Sequence, residues 1–325
     1  MNLEIYSLKT SEILSTYRQE INEKLSRIYL SGPESLVSPI QYVLDGKGKR
    51  LRPLLTIFTA ESCGGSKNNV FSAALAVEVL HNFTLVHDDI MDKDSTRHGK
   101  DTVHRKWDDG VAILTGDAML SLALKLLNEN NDCSYRQMKI FVDGLLAVCE
   151  GQALDKEYES RSTISTEEYI NMIDLKTGHM LGLSAELGAV SAGMNDEICS
   201  EIKDYGCLIG RAFQIQDDYL EIYSDSINMG KSLESDIVLG KKTFLMIQAI
   251  EKNKNEINNF IKLAKENFNL ALHKIRNFME TNGIKRNTEN EINKILLMAN
   301  KKINNLPIDK SKILYFSELI QNRGN

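Results

Sequence analysis

Residues 73–92 read AALAVEVLHNFTLVHDDIMD, an apolar run that ends in three aspartates within five residues. Apolar residues recur there at helical spacing, so the run predicts a buried helix. Residues four apart lie on one face of a helix, which places Asp88 over Asp92, while Asp89 points about 100° away. Carboxylates this close repel one another unless water or a cation compensates their charge. The stretch therefore predicts a long helix whose end is either solvated or binds a cation.

A second stretch, IQDDYLE at 215–221, has the same order of groups: an apolar approach, two aspartates, two further residues and a third acid. Helical geometry places Asp217 over Glu221 and turns Asp218 aside. Carboxylate oxygens without His or Cys suit Mg²⁺, which commonly completes its shell with water and a substrate's phosphates. Either motif alone could be a solvated helix end, but acids in two otherwise apolar helices would lie near a core. Together the two stretches predict a Mg²⁺–diphosphate site.

A basic turn, GKGKRLRP at 46–53, precedes another apolar helix. Its Lys49, Arg50 and Arg52 carry donors that could grip a phosphate, although such a turn alone is more often a charged helix start. Beside two acidic metal motifs, phosphate binding becomes the better interpretation. Further cations follow along the chain: Arg97, His98, Lys100, Lys176, Lys231 and Lys241. These charges predict two bound diphosphates, one held through metal and one through side chains.

Long helices also dominate the rest of the chain. Apolar residues recur at helical spacing through roughly 3–30, 34–45, 52–63, 69–92, 111–128, 135–158, 166–192, 196–224 and 242–251. Only 4 prolines and 20 glycines interrupt 325 residues, and nothing resembles a linker. We therefore expect an all-α fold in a single domain, residues 1–325. The Asn- and Lys-rich region at about 251–325 should form peripheral helices.

The composition argues against several classes of protein. A net charge of −6 gives no reason to expect nucleic acid as a partner. The 5 cysteines are odd in number and contain no C-x-x-C pair, so neither a disulfide framework nor a zinc site is indicated. The opening MNLEIYSLKTSEIL lacks the segments of a signal peptide, and no run of about 18 uninterrupted apolar residues predicts a membrane span. We expect a soluble, cytoplasmic protein.

Six ordered motifs resemble those of the trans-isoprenyl diphosphate synthases, the polyprenyl synthetase family that includes farnesyl and geranylgeranyl diphosphate synthases. They are GKRLRP, LVHDDIMD, RHGKDTVH, LKTGHMLGLSAELGA, FQIQDDYLE and GKSLESDIVLGKKT. The resemblance runs from about residue 40 to 250, which would be the motif-bearing core of the domain. The resemblance implies a bundle of antiparallel helices around a deep central cavity, usually in a homodimer. It also implies head-to-tail condensation of isopentenyl diphosphate with dimethylallyl, geranyl or farnesyl diphosphate, which releases inorganic diphosphate and gives an all-trans product.

The resemblance also assigns the metal and allylic sites. Asp88, Asp92 and Asp217 would hold Mg²⁺, two or three ions per active site in the family, which makes the allylic diphosphate a leaving group. The contacts to that diphosphate would be Arg97, Lys176, Thr177, Gln214, Lys231 and Lys241. The expected catalytic residues are Asp88, Asp217, Lys176, Thr177 and Gln214. The isopentenyl double bond would then attack the allylic cation behind apolar walls that exclude water.

The isopentenyl diphosphate contacts implied by the family are Lys49, Arg52, His81 and His98. His81 lies seven residues before Asp88, close to the same helix face. His98 stands where the family usually has an arginine, and a histidine is mostly neutral at pH 7. We therefore expect weaker or pH-dependent isopentenyl diphosphate binding. Glu221 replaces a usual aspartate, keeps its charge and should keep metal binding.

In this family the residues just before the first acidic motif form the floor of the cavity. Phe83 stands five residues before Asp88 and the small Thr84 four before it, a pattern similar to the archaeal type of geranylgeranyl diphosphate synthase. On a helical wheel Phe83 lies roughly 140° from Asp88, so its orientation toward the cavity rests on the resemblance. We expect a twenty-carbon geranylgeranyl product, with fifteen-carbon farnesyl diphosphate as the alternative.

Three other functions stay open at this point. A terpene cyclase also ionises a prenyl diphosphate with Mg²⁺, but its reaction does not need a second phosphate-binding site such as Lys49 and Arg52 would form. A weakly active partner subunit of a hetero-oligomeric synthase would explain His98. A di-iron carboxylate protein would need Glu-x-x-His pairs on its helices, and neither acidic motif has this form.

Overall fold

Helices make up most of the structure, a computed structural model that describes residues 3–46, 48–129, 135–223, 237 and 240–322, with side chains from residue 12 onward. The helices are α1 (Leu3–Leu25), α2 (Glu34–Leu44), α3 (Leu51–Ser62), α4 (Lys67–Asp92), α5 (Val103–Lys106), α6 (Asp109–Asn128), α7 (Tyr135–Glu159), α8 (Thr166–Ile173), α9 (His179–Ser191), α10 (Asp196–Tyr223), α11 (Phe244–Ala264), α12 (Phe268–Thr281), α13 (Ile284–Asn304) and α14 (Tyr315–Gln321). The predicted all-α class is confirmed.

A π-helical turn, Asp174–Gly178, joins α8 to α9. Helical spacing predicts helix over roughly 166–192, and the structure is helical there, with this π turn between the two α-helices. A π turn accommodates one additional residue within a helix and is frequent at functional sites. It lies at Lys176 and Thr177, two of the expected substrate contacts.

A short hairpin follows α4. Strands β1 (Thr96–Arg97) and β2 (Lys100–Asp101) pair antiparallel, and their turn consists of His98 and Gly99. Both turn residues have positive φ, 50° and 75°, which is the geometry of the two-residue turns that match strand twist. The hairpin therefore fixes Arg97 and His98 in adjacent positions after the first acidic motif.

The structure divides into two units, each formed from separated segments. The first unit comprises Met1–Asp143, Leu183–Ile202 and Leu306–Ile313. Its central helix is α4, which packs against α3 and α6. Ile57 on α3 and Val77 and Leu80 on α4 are 0% exposed. Because neighbouring helices bury the apolar face of α4, its rotation is fixed, and so is the direction of each acid in its last turn.

Two helices of the first unit, α4 and α6, are long and apolar enough to cross a membrane by length and composition. This is weak evidence, because core helices of other proteins meet the same criterion. The apolar window of α4 is 67% buried and that of α6 is 44% buried. The two helices pack against each other within the unit.

The second unit comprises Gly144–Gly182, Lys203–Asn305 and Leu314–Asn325. In it α10 meets the π turn and the start of α9 at four glycines. A Cβ on Gly210 would lie 2.7 Å from Gly178 Cα, and a Cβ on Gly206 would lie 2.8 Å from Gly182 Cα. Only hydrogen atoms separate the two backbones at these positions. This close crossing brings Thr177 beside α10.

The helices α11, α12 and α13 also belong to the second unit and pack against one another. Ile257, Ile275 and Ile303, one from each helix, are 0% exposed. The Asn- and Lys-rich region after residue 251 thus has a buried apolar face. The prediction of a single domain for residues 1–325 stays a prediction.

Candidate active site

The first acidic motif ends α4, and its three aspartates face different surroundings. Asp89 is 5% exposed, and Arg97 Nε donates to its Oδ1 at 2.5 Å. Burial raises the pKa of the Asp89 carboxyl, and the Arg97 guanidinium opposes that rise. Asp88 is half-buried and Asp92 is exposed. The pair spaced by four residues therefore lies toward solvent, while the middle aspartate is bound inward.

The second acidic motif, on α10, repeats this arrangement. Asp217 and Glu221 are half-buried, whereas Asp218 is 4% exposed. The Tyr169 hydroxyl and the Phe244 backbone N–H, at 2.8 Å, both donate to Asp218 Oδ2. Burial raises the pKa of Asp218 to about 6, against these donors. As on α4, the outer acids of the motif are left toward solvent.

The donors at both motifs fit Mg²⁺ in their chemistry. The outer acids offer carboxylate oxygens spaced one helical turn apart, the hard ligands that this ion prefers. Within the described part of the chain, no group of three or more His, Cys, Asp or Glu side chains lies close enough to hold a metal ion alone. A cation at either motif would therefore take much of its shell from water or from a substrate's oxygens.

Arg50, in the basic turn, does not face solvent. It is 4% exposed, and its Nη1 donates to Glu78 Oε1 at 2.6 Å. Its Nε donates to Asn22 Oδ1 at 2.8 Å, and Nη2 donates to the carbonyls of Leu44 and Gly46 at 2.9 and 2.5 Å. The interpretation of Arg50 as a phosphate donor is therefore wrong. We call these five residues the Arg50 cluster; it fixes the turn between α2 and α3.

Two further cations of that turn are more accessible to solvent than Arg50. Lys49 is exposed and Arg52 is half-buried. Arg52 lies close enough to His81 on α4 to contribute, with Arg97 and His98, to lowering the pKa of the His81 imidazole. The structure thus brings together three of the four expected isopentenyl diphosphate contacts, Arg52, His81 and His98.

Both histidines of this group have a depressed pKa. Burial, followed by the nearby arginines, lowers the pKa of His81 well below its usual value. Burial and then Arg97 lower the pKa of His98. Both imidazoles are consequently neutral at pH 7 in the protein alone. Each can donate one hydrogen bond to a phosphate oxygen, but neither contributes a charge until an anion raises its pKa.

The expected allylic contacts of the second unit lie around the π turn. Lys176 Nζ is paired with Asp155 Oδ2 on α7 at 2.7 Å. The Thr177 hydroxyl donates to Gln214 Oε1 at 3.1 Å, and Gln214 Nε2 donates to Asp218 Oδ1 at 3.2 Å. The predicted residues Thr177 and Gln214 are therefore in direct contact.

Asp155 and Tyr169, which hold these groups, were not predicted from the sequence. Asp155 stands on α7 four residues after Gly151, and a Cβ on Gly151 would lie 2.4 Å from the backbone nitrogen of Lys176. Glycine and acid thus share the helix face that meets the π turn. An acid on the inner face of a helix is a signal that could have indicated Asp155. Tyr169 has no comparable signal.

Phe83 and Thr84, the expected floor residues, are placed differently. Phe83 is 8% exposed, and its ring lies 4.9 Å from that of His87, edge to face. His87 in turn meets α6, where a Cβ on Gly116 would lie 2.1 Å from its Nε2. Phe83 therefore belongs to the side of α4 that is covered by α6. The Thr84 hydroxyl donates to the His81 carbonyl at 2.8 Å.

Two expected lysines complete the set. Lys241 is exposed and lies three residues before the Phe244 N–H that binds Asp218. Lys231 lies outside the described residues. The assignment of each side chain to a ligand stays a prediction.

Known proteins resemble this chain in sequence and in structure. A family model described as polyprenyl synthetase matches residues 33–279. A geranylgeranyl diphosphate synthase of Saccharolobus solfataricus is 39% identical over 252 residues, 75% of this chain and 76% of the relative. A geranylfarnesyl diphosphate synthase of Natronomonas pharaonis is 38% identical over 253 residues, 71% and 74% of the two chains. The crystal structure of a Caulobacter crescentus polyprenyl synthase, complexed with calcium and isoprenyl diphosphate, is 25% identical with a TM-score of 0.86 and covers 97% of each chain.

Proposed function

Because the chain belongs to the polyprenyl synthetase family, we propose that it condenses isopentenyl diphosphate with short allylic diphosphates and that its main product is geranylgeranyl diphosphate. One observation carries the proposal. In both acidic motifs a protein donor binds the middle aspartate inward, Arg97 at Asp89 and Tyr169 at Asp218. The outer carboxylates are thereby presented toward solvent, as ligands of a cation that also binds a diphosphate require.

The residues of the allylic site bind the diphosphate and keep it in place. Asp88 and Asp92, and Asp217, would hold Mg²⁺, which would supply the charge neutralisation that makes diphosphate a leaving group. Side-chain donors take the remaining oxygens: Arg97, Lys176, Lys231 and Lys241. Lys176 is held by Asp155, so its ammonium is oriented before substrate arrives. Thr177 and Gln214 orient each other beside it.

The isopentenyl diphosphate is bound by the cations of the basic turn and by two histidines. Lys49 and Arg52 provide the charge, and His81 and His98 provide hydrogen bonds. The Arg50 cluster holds the main chain from which Lys49 and Arg52 project. A bound phosphate attracts a proton to a neighbouring imidazole, so we expect the affinity for isopentenyl diphosphate to rise as pH falls toward 6.

We assign to Phe83, with Thr84 beside it, the role of limiting the length of the product chain. The relatives from S. solfataricus and N. pharaonis are almost equally identical to this chain, yet their names give products of different length. Overall identity therefore does not fix the product, and individual side chains must. Phe83 is bulky and is held edge to face on His87, which suits a rigid floor.

Two further properties belong to the proposal. We infer a homodimer from the family resemblance. We also infer a reducing, cytoplasmic location from the sequence, whose 5 cysteines are odd in number and contain no C-x-x-C pair.

The proposal is tested by incubating the purified protein with Mg²⁺, isopentenyl diphosphate and each of the three allylic diphosphates, followed by product chromatography. We expect a twenty-carbon diphosphate from every starter. Asp88→Asn should lose most of this activity, whereas Asp143→Asn, which changes an acid paired with Lys139 on the surface, should retain it. A prenyl hydrocarbon or alcohol formed without isopentenyl diphosphate would identify a cyclase instead. The absence of any product would overturn the proposal.

A further inference from the structure

Tyr169, on α8, lies outside every motif that predicts function. Its side chain is 3% exposed, and its hydroxyl donates to Asp218 Oδ2. The Phe244 N–H donates to the same oxygen at 2.8 Å. One carboxylate oxygen on α10 thus joins α8 and the first residue of α11.

The other oxygen of Asp218 begins a chain of hydrogen bonds. Asp218 Oδ1 accepts from Gln214 Nε2 at 3.2 Å, and Gln214 Oε1 accepts from the Thr177 hydroxyl at 3.1 Å. An ionised carboxylate can only accept, so the Gln214 amide must turn its nitrogen toward Asp218 and its oxygen toward Thr177. The donor direction along the whole chain is therefore decided at Asp218.

The position of Asp218 depends in turn on its own donors. Hydrogen bonds to an ionised carboxylate are short and roughly twice as strong as neutral ones. Without the Tyr169 hydroxyl, Oδ2 would retain only the Phe244 N–H, and the buried carboxylate could rotate to recover a second donor. Rotation of Asp218 would displace Gln214 and with it Thr177.

The groups around this chain are those expected to hold the allylic substrate. Asp217 is the neighbour of Asp218 on α10, Thr177 lies next to Lys176 in the π turn, and Lys241 precedes Phe244 by three residues. All of them lie in the second unit. A displaced Asp218 would thus disturb several contacts to one substrate at once.

We propose that Tyr169 is a positioning residue for the allylic diphosphate, acting through the chain Tyr169–Asp218–Gln214–Thr177. It touches no substrate. It fixes the carboxylate that orients Gln214 and Thr177, and it holds α10 to α8 beside the metal-binding Asp217. The inference rests on the proposed function, which supplies the substrate.

Tyr169→Phe is the direct test, because it removes one hydroxyl and keeps the ring. Tyr17→Phe is the matched control: the Tyr17 hydroxyl, on α1 and outside both acidic motifs, also donates to a carboxylate, Glu61 Oε1 at 2.7 Å. We expect Tyr169→Phe to raise the KM for the allylic diphosphate about tenfold, as loss of an outer partner of a metal site commonly does. The KM for isopentenyl diphosphate should change less than about twofold, and the control should change neither.

A binding measurement separates this inference from the proposed function. Inorganic diphosphate with Mg²⁺ should raise the melting temperature of the wild type and of Tyr17→Phe. It should do so at about tenfold lower concentration than is needed for Tyr169→Phe. Tyr169→Phe that binds diphosphate as tightly as the wild type overturns the inference, even if no prenyl product is ever found. An equal rise of both KM values, with diphosphate binding unchanged, also overturns it, because it would indicate a general structural effect.

Discussion

The Arg50 cluster gives the most quantitative prediction, the effect of Arg50→Met on stability. The substitution keeps much of the side-chain length but leaves the Glu78 carboxylate, 4% exposed, without its partner at 2.6 Å. Removing one partner of a buried ion pair typically costs about 3–5 kcal/mol. The carbonyls of Leu44 and Gly46 lose their donor as well. We therefore expect the free energy of unfolding to fall by at least about 3 kcal/mol.

Urea denaturation followed by circular dichroism measures this loss, and two further variants show its origin. Arg50→Met combined with Glu78→Leu removes both charges, and an apolar pair of similar volume should recover most of the loss. Arg18→Met is the matched control, because Arg18 is only half-buried and its Nε donates to the Lys49 carbonyl of the same turn through an exposed hydrogen bond at 3.2 Å. We expect its effect to stay within about 0.5 kcal/mol.

Substrate binding reports on the same cluster. If Arg50 fixes the turn that carries Lys49 and Arg52, Arg50→Met should raise the KM for isopentenyl diphosphate while the folded variant keeps its KM for the allylic diphosphate. Equal stabilities of Arg50→Met and Arg18→Met, or no recovery in the double variant, would refute the assignment of a buried ion pair.

Three further substitutions test other parts of the structure. Gly210→Ala places a Cβ 2.7 Å from Gly178 Cα, so the two helical segments must separate. We expect thermal unfolding to show a loss of about 1–3 kcal/mol in the free energy of unfolding. A variant as stable as the wild type would contradict the close crossing. His98→Arg supplies a permanent charge, and it should lower the KM for isopentenyl diphosphate at pH 8 by about tenfold; an unchanged KM would show that position 98 does not meet the phosphate. Phe83→Ala should shift the products to longer chains on chromatography, and an unchanged distribution would remove Phe83 from the floor.

The sequence predicts those features that depend on local spacing. The spacing of apolar residues predicts helices with one apolar face. The helical wheel places Asp88 and Asp92 on one face and Asp89 on another, and the packed helix keeps these directions. The same reasoning applies to Asp217 and Asp218 on α10. For these motifs, a helix and its apolar face are sufficient information.

The features that the sequence did not predict depend on pairs far apart in the chain. Arg50 and Glu78 are 28 residues apart, and Tyr169 and Asp218 are 49 apart. A helical wheel gives the face of each residue but not its partner on another helix. Arg50 also has a positive φ of 52°. Its side chain therefore leaves the backbone in a direction that its place between Lys49 and Arg52 in the sequence does not predict. The π turn has a similar origin, since it forms where Gly151 allows the backbone of Lys176 to approach.

The most direct test of the proposed activity is the stoichiometry of diphosphate release. Purified protein is supplied with Mg²⁺, labelled isopentenyl diphosphate and farnesyl diphosphate, and inorganic diphosphate is measured beside the labelled product. Condensation predicts one diphosphate released for each isopentenyl unit incorporated, a twenty-carbon product, and no release when isopentenyl diphosphate is omitted. Diphosphate released without incorporation of label would contradict the account, because it would show that the protein ionises an allylic diphosphate but does not elongate it.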